Sequence, residues 1–238
     1  MAAKSVWGLF SPNGRRRVEP EILSHADRED REANLRDLAR INRWFGGHRI
    51  AKGLIRETVA PGESFTLLDA GAGSGDVSRA IRQAFPSATV VSLDRYSAHV
   101  QAADGPRLAA DVFRLPFPPR SFDIVFCSLL LHEYEDSEAR ELLRGLFETC
   151  RRALIVVDLY RHPLAYHFLP ATRPIFKWHE VTLHDGPVSV AAAFRPKDLR
   201  ALAVAAGLKY VRVKSHWPWF RLSLMARREA NEGSQSSR

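Results

Sequence analysis

The segment Leu67-Leu68-Asp69-Ala70-Gly71-Ala72-Gly73-Ser74-Gly75-Asp76 joins a short apolar run to a stretch with helical periodicity. Glycines at alternate positions let a backbone turn sharply and approach a ligand closely, and the helix start that follows offers free N–H groups. Upstream, Phe65 to Asp69 reads as a strand. Downstream, Val77, Ala80, Ile81, Ala84 and Phe85 share one helix face, and Ala88 to Leu93 reads as a second strand. These pieces make one βαβ unit. Asp94 ends the second strand 19 residues after Gly75, where a carboxylate can accept both hydrogen bonds of a ribose diol.

The same alternation continues outward and favours a parallel sheet with helices on both faces. Arg107 to Ala110 predicts a short third strand and Phe122 to Ser128 a buried fourth. Ala139, Leu142, Leu143, Leu146 and Phe147 mark a helix, and Ala153 to Leu159 is the fifth strand. The His- and Pro-rich stretch from Arg161 to Pro187 reads as irregular. Leu199, Leu202, Ala203 and Ala206 define a helix stopped by Gly207; Leu208 to Lys214 and Pro218 to Arg227 are two last strands, antiparallel because nothing helical fits between them. Before the first strand, a long helix is expected from a capping box of Ser24 and Asp27 to Gly46-Gly47, then a second from His48 to Val59. The two form a cap.

Across 238 residues, 45% hydrophobic and 26% charged composition suits one sizeable core. The longest largely apolar run, Ile124 to Leu131, is far short of the roughly 20 residues that span a bilayer. The start MAAKSVWGLFSPNGRRR does not read as a secretory signal, so a cytoplasmic location is expected. Cys127 and Cys150 sit in apolar contexts without partners at metal-ligand spacing, so no metal site and no disulfide framework is expected. The net charge of +8 would suit a polyanionic partner, but the basic residues form short knots such as Arg15 to Arg17 rather than a stripe interleaved with aromatics. That pattern favours solvated charge with an anionic substrate or an acidic carrier protein over nucleic acid.

Glycine spacing separates the nucleoside cofactors. Dinucleotide binders place a pyrophosphate on the helix N-terminus and need Gly-x-Gly-x-x-Gly/Ala. Here position 76 is Asp, whose carboxylate would repel a pyrophosphate but not a sulfonium.

With these residues in place, the chain resembles the class I S-adenosylmethionine-dependent methyltransferases, nearest in style to the small-molecule group that includes quinone-biosynthesis enzymes. LLDAGAGSGDVSRAI is similar to the family's first motif, with Asp69, Gly71, Gly73 and Gly75 in the expected places, and VVSLDRY supplies the acidic end of the second strand. The resemblance implies that Asp94 holds the ribose with Arg95 and Tyr96 beside the adenine. It further implies that Asp111 meets the adenine amino group, Val112 neighbours the ring, and Ser128 makes a backbone contact near the methionine moiety. The implied fold is α/β, a Rossmann-like seven-stranded sheet, mostly parallel with an antiparallel last strand, plus an N-terminal helical cap. The implied organisation is an irregular N-terminus and helical cap over residues 1–60, a cofactor-binding methyltransferase domain over 61–228, and a flexible tail over 229–238.

Departures narrow the reaction. FCSLLLHE lacks an Asn/Asp-Pro-Pro-aromatic run, which argues against methylation of an exocyclic base nitrogen, and Cys127 reads as core. His132 follows the fourth strand, where substrate would meet cofactor, and is the candidate catalytic base with Glu133 to orient it; His162, His167, His179 and His184 populate the later insertion. The expected reaction moves a methyl group to a small or medium, partly apolar acceptor, at a phenolic or enolic oxygen or an activated carbon. Asn42 to His48 and the aromatic residues Tyr166, Phe168, Phe176 and Trp178 are expected to wall the acceptor pocket. The alternatives are an RNA or protein methyltransferase, and a protein that keeps the cofactor site without catalysis.

Overall fold

The computed structural model describes residues 10, 14–24, 26–101 and 103–228; the expected tail at 229–238 lies outside the described residues. The strands are β1 (Phe65–Ala70), β2 (Ala88–Asp94), β3 (Arg107–Ala109), β4 (Phe122–Ser128), β5 (Cys150–Leu159), β6 (Arg212–His216) and β7 (Arg221–Arg227). They form one sheet in the order β3-β2-β1-β4-β5-β7-β6. Strands β1 to β5 pair in parallel, while β7 runs antiparallel to both β5 and β6. This is the seven-stranded, mostly parallel arrangement expected.

Helices cover both faces because the central strands alternate apolar side chains to both sides. Leu68, Val125 and Cys127 pack into one buried cluster with α5 (Asp136–Thr149) and α8 (Pro196–Ala205). Their neighbours Leu67, Ile124 and Phe126 pack into the other with α2 (Gly47–Arg56) and α3 (Asp76–Ala84). Cys127 is therefore core, as expected. A short helix, α4 (Ser97–Gln101), follows β2.

The N-terminal helices divide in their packing. Ile50, Ala51, Leu54 and Ile55 of α2 join the core against β1 and β4. Helix α1 (Arg28–Trp44) instead reaches over the carboxyl edge of the sheet. Its cap is Asp27, whose side chain accepts from Asp30 N at 2.9 Å; the expected start at Ser24 is a 3-10 turn, Ile22–Ser24.

The stretch from Arg161 to Pro187, expected to be irregular, holds two helices, α6 (Pro163–Phe176) and α7 (Glu180–Ala192). Local composition misleads here because Pro163 occupies the first turn, where no N–H is needed, and tertiary contacts outweigh the roughly 3 kcal/mol penalty of an interior proline such as Pro170 or Pro187. Those contacts include Asn34 Nδ2 donating to Thr182 Oγ1 at 3.2 Å, His179 N donating to Asp37 Oδ2 at 2.7 Å, and Arg40 donating to Phe176 O at 2.8 Å. The last strand starts at Arg221 rather than Pro218, since Phe220 adopts φ +49° and turns the chain. Among the described residues no helix is long and apolar enough to cross a membrane.

Candidate functional site

The loop after β1 opens at the carboxyl edge. Gly71 N and Ala72 N both donate to Leu93 O, at 2.8 and 2.9 Å, and Gly73 N donates to Asp94 Oδ2 at 2.9 Å, so the loop is tied to the end of β2. All three glycines have positive φ, +74°, +53° and +70°. They serve different ends. A Cβ on Gly75 would lie 2.5 Å from the Cβ of Ala103, and one on Gly71 2.9 Å from Leu130 Cδ2. A Cβ on Gly73 would meet Leu35 Cδ2 at 3.7 Å and otherwise project into a cavity.

That cavity has a volume of about 290 Å³. Asp69, Gly71, Gly73 and Asp94 lie on its wall, as do Arg95, Asp111, Val112 and Ser128. Gly75 caps α3 behind it. Asp94 is held ready as a carboxylate: burial pushes its pKa up, but hydrogen bonds from His99, Tyr96 N and Gly73 N bring it below the usual value. Asp69 lies under the loop, its carboxylate accepting from Ser78 Oγ at 2.6 Å, and burial pushes its pKa up to about 7. The Asp76 carboxylate is engaged by His48 Nε2 at 2.8 Å and Asn42 Nδ2 at 3.3 Å. Asp111 is exposed and accepts from Phe113 N at 3.0 Å, Val112 is buried, and the Arg95 guanidinium lies 5.1 Å over the Tyr96 ring.

A second cavity, about 150 Å³, adjoins the first, sharing Glu21, Leu129, His132 and Ser189 with it. Its wall is largely apolar, with Ile41, Phe45, Phe168, Leu169 and Phe220. Of the expected aromatic wall, Phe168 is there; Phe176 and Trp178 pack behind Phe45, at 5.7 and 6.4 Å between ring centroids, and Tyr166 meets Phe10 instead. Asn42 and Phe45 reach the cavities, whereas Trp44 is half exposed beside Phe176.

His132 stands at the junction, 4% exposed. Its Nδ1 donates to Asp158 Oδ1 at 2.6 Å, and Glu21 Oε1 faces Nε2 at 3.8 Å. Asp158 also accepts from the backbone N–H groups of Leu131 and Leu159. Asp158, not Glu133, orients the ring. Burial lowers the His132 pKa, but the two carboxylates overcome it and push the value up to about 10. A neutral imidazole, which the candidate base expected from the sequence would need to be, is therefore not what the fold supplies. Three of the other expected histidines serve the scaffold: His162 accepts from Leu164 N to cap α6 and stacks on Phe220, His184 pairs with Asp185, and His179 N donates to Asp37.

Residues 14–24 strap the site from above. Arg16 donates to Asp136 Oδ1 at 2.6 Å, to Ala192 O at 2.7 Å and to Tyr134 O, and lies 4.2 Å over the Phe194 ring. Ile22 N and Leu23 N donate to the Asp185 carboxylate at 2.9 and 3.0 Å, which sets Glu21 over the cavity with Ser189 Oγ donating to it. Sequence reasoning missed Asp158, Arg221 and Glu21. A lone charge at the end of the apolar run LIVVD was the available signal for Asp158, as was the charge opening RLSLMA for Arg221. Glu21 had none.

Residues 68–155 match a family described as methyltransferase domain. A malonyl-[acyl-carrier protein] O-methyltransferase of Dechloromonas aromatica is 28% identical over 201 residues, 75% of this chain and 64% of its own length. A demethylmenaquinone methyltransferase of Thermotoga maritima is 30% identical over 93 residues, 37% of this chain and 38% of its own. The chain thus spans less than two thirds of the length of these curated relatives. In fold it resembles the plantazolicin methyltransferase BpumL, solved with SAH, at 13% identity and TM-score 0.64, covering 84% of this chain and 89% of that one.

Proposed function

We propose that this chain, which carries a methyltransferase domain on a Rossmann-like sheet, moves a methyl group from S-adenosylmethionine to a small or medium, partly apolar acceptor, at a phenolic or enolic oxygen or an activated carbon. The observation that carries this conclusion is the junction at His132, where a cavity built on the glycine loop and Asp94 meets an apolar one.

The donor set fits the cofactor. Open space beside Gly73 makes a cradle that a Cβ would fill, the Asp94 carboxylate suits a ribose diol, and Asp94 with the Asp76 carboxylate gives the loop a negative character suited to a cation. Asp111, Val112 and Arg95 would flank the adenine, and the backbone at Ser128 would lie near the methionine part. When bound, S-adenosylmethionine supplies a methyl group already attached to a good leaving group. The chain then has to align, dry and charge-stabilise the acceptor.

His132 acts as an imidazolium. Asp158 fixes Nδ1, which aims Nε2 at the junction, and the positive ring stabilises an acceptor oxygen that has released its proton to solvent. The strap and α1 exclude water from above.

His132→Ala is expected to keep cofactor affinity and lower turnover by at least about 10²-fold, with partial recovery at alkaline pH as the acceptor ionises unaided. The wild-type rate should show no rise through pH 6.5. Labelled cofactor with a panel of phenols, quinols, polyketides and RNA finds the acceptor. A fall in turnover of less than about threefold refutes the role of His132, transfer to RNA favours the nucleic-acid alternative, and cofactor binding without turnover on any acceptor favours the non-catalytic one.

Delivery on an acidic carrier protein is a second reading, supported by the net charge of +8 and by the carrier-bound acceptor in the name of the Dechloromonas aromatica relative. Carrier binding that weakens steeply with salt would support it. Buried free thiols at Cys127 and Cys150 agree with a cytoplasmic setting.

A further inference from the structure

Because β7 is antiparallel, its first residue reaches the edge where the parallel strands end. Arg221 opens β7 opposite Leu159 of β5, and its side chain lines the apolar cavity. It is 1% exposed. Its Nη2 donates to Asn42 Oδ1 at 3.3 Å, while Nη1 has no hydrogen-bond partner among the described residues.

A buried guanidinium with an unused donor is costly, and folded proteins satisfy such groups with a partner or a ligand. Three of the nearby carboxylates are committed elsewhere, and Glu21 accepts from Ser189 Oγ. Asp158 accepts from His132 Nδ1 and from the Leu131 and Leu159 N–H groups, Asp185 accepts from Ile22 N and Leu23 N, and Asp76 is engaged by His48 and Asn42. Arg221 thus places a positive, fork-shaped donor in a chamber that contains Phe45, Phe168 and Phe220, and on whose wall Glu21, His132, Glu133 and Asp185 also lie.

We propose that Arg221 is the acceptor's anchoring residue and takes a carboxylate, so that the acceptor is a flat, largely apolar hydroxy acid held between the aromatic wall and the guanidinium. This rests on the methyltransferase assignment and specifies its acceptor class. A carboxylate matches the planar fork of arginine in two parallel hydrogen bonds, and a dry chamber strengthens them.

The test uses the full chain saturated with S-adenosylhomocysteine and two probes of one shape, 3-hydroxy-2-naphthoate and its neutral amide, in calorimetric titrations. Wild type should bind the acid at least about tenfold more tightly than the amide. Arg221→Met should abolish that preference and leave S-adenosylhomocysteine affinity unchanged, while Arg221→Lys should keep part of it. Equal binding of acid and amide by wild type, a preference retained in Arg221→Met, or no binding of either probe at millimolar concentration overturns the proposal. If Arg221→Met does not fold, wild type and Arg221→Lys decide. Failure of wild type to bind S-adenosylhomocysteine at all would instead overturn the methyltransferase assignment.

Discussion

His132 Nδ1 lies 2.6 Å from Asp158 Oδ1, a buried ion pair that joins the turn after β4 to the end of β5. The pair brings the junction of the two cavities under the control of one carboxylate.

Its stability has a definite pH sign. Burial lowers the His132 pKa and Asp158 with Glu21 raise it, to about 10 against an ordinary 6.5. A group raised in the folded state contributes fully below its unfolded pKa and loses that contribution as pH rises through the folded value. The melting-temperature advantage of wild type over His132→Gln should therefore be largest below pH 6.5 and shrink towards pH 10. Breaking such a pair costs about 3–5 kcal/mol. An advantage independent of pH would mean that the ring is neutral.

Asp94 holds the loop as well as facing the cavity, since it accepts from Gly73 N and Tyr96 N. Asp94→Ala should reduce S-adenosylhomocysteine affinity at least about tenfold, and Asp94→Asn less, because the amide keeps one acceptor. Unchanged affinity by calorimetry, or tighter binding of NAD than of S-adenosylhomocysteine, would sink the ribose assignment.

The two outer glycines and the middle one should fail differently. Gly75→Val drives a side chain into Ala103 and should lower the melting temperature sharply, whereas Gly73→Val meets only Leu35 at ordinary contact distance, carries the strain of its positive φ alone, and should abolish cofactor binding with the larger part of the stability retained. Normal S-adenosylhomocysteine binding by Gly73→Val would show that this turn is only a connection.

Arg16 is the latch of the strap, joined to Asp136, Tyr134 and Ala192. Removing hydrogen bonds of a charged group costs about 1.5–3 kcal/mol each, so Arg16→Met should speed thermolysin cleavage within residues 14–24 by at least about tenfold and raise the acceptor KM. Cleavage at the wild-type rate would remove the strap from the account of water exclusion.

The succession of strands along the chain and the place of the glycine loop were legible in the sequence because they depend on local periodicity: apolar runs such as Phe122 to Ser128 and helix faces such as Val77, Ala80 and Ile81 declare themselves within a few residues. The helices α6 and α7 were not legible, since prolines at 163, 170 and 187 argue locally against helix and only tertiary packing, of the two helices on each other and on α1, outweighs them. The candidate site divides in the same way. Asp69, Gly71, Gly73 and Asp94 lie next to their own strand ends, so their convergence follows from a parallel sheet. Glu21, His132, Asp158 and Arg221 come from segments far apart in the chain, and their charges acquire meaning only from one another: an imidazole becomes an imidazolium because folding buries two carboxylates beside it, and an arginine turns towards the site because the last strand runs backwards.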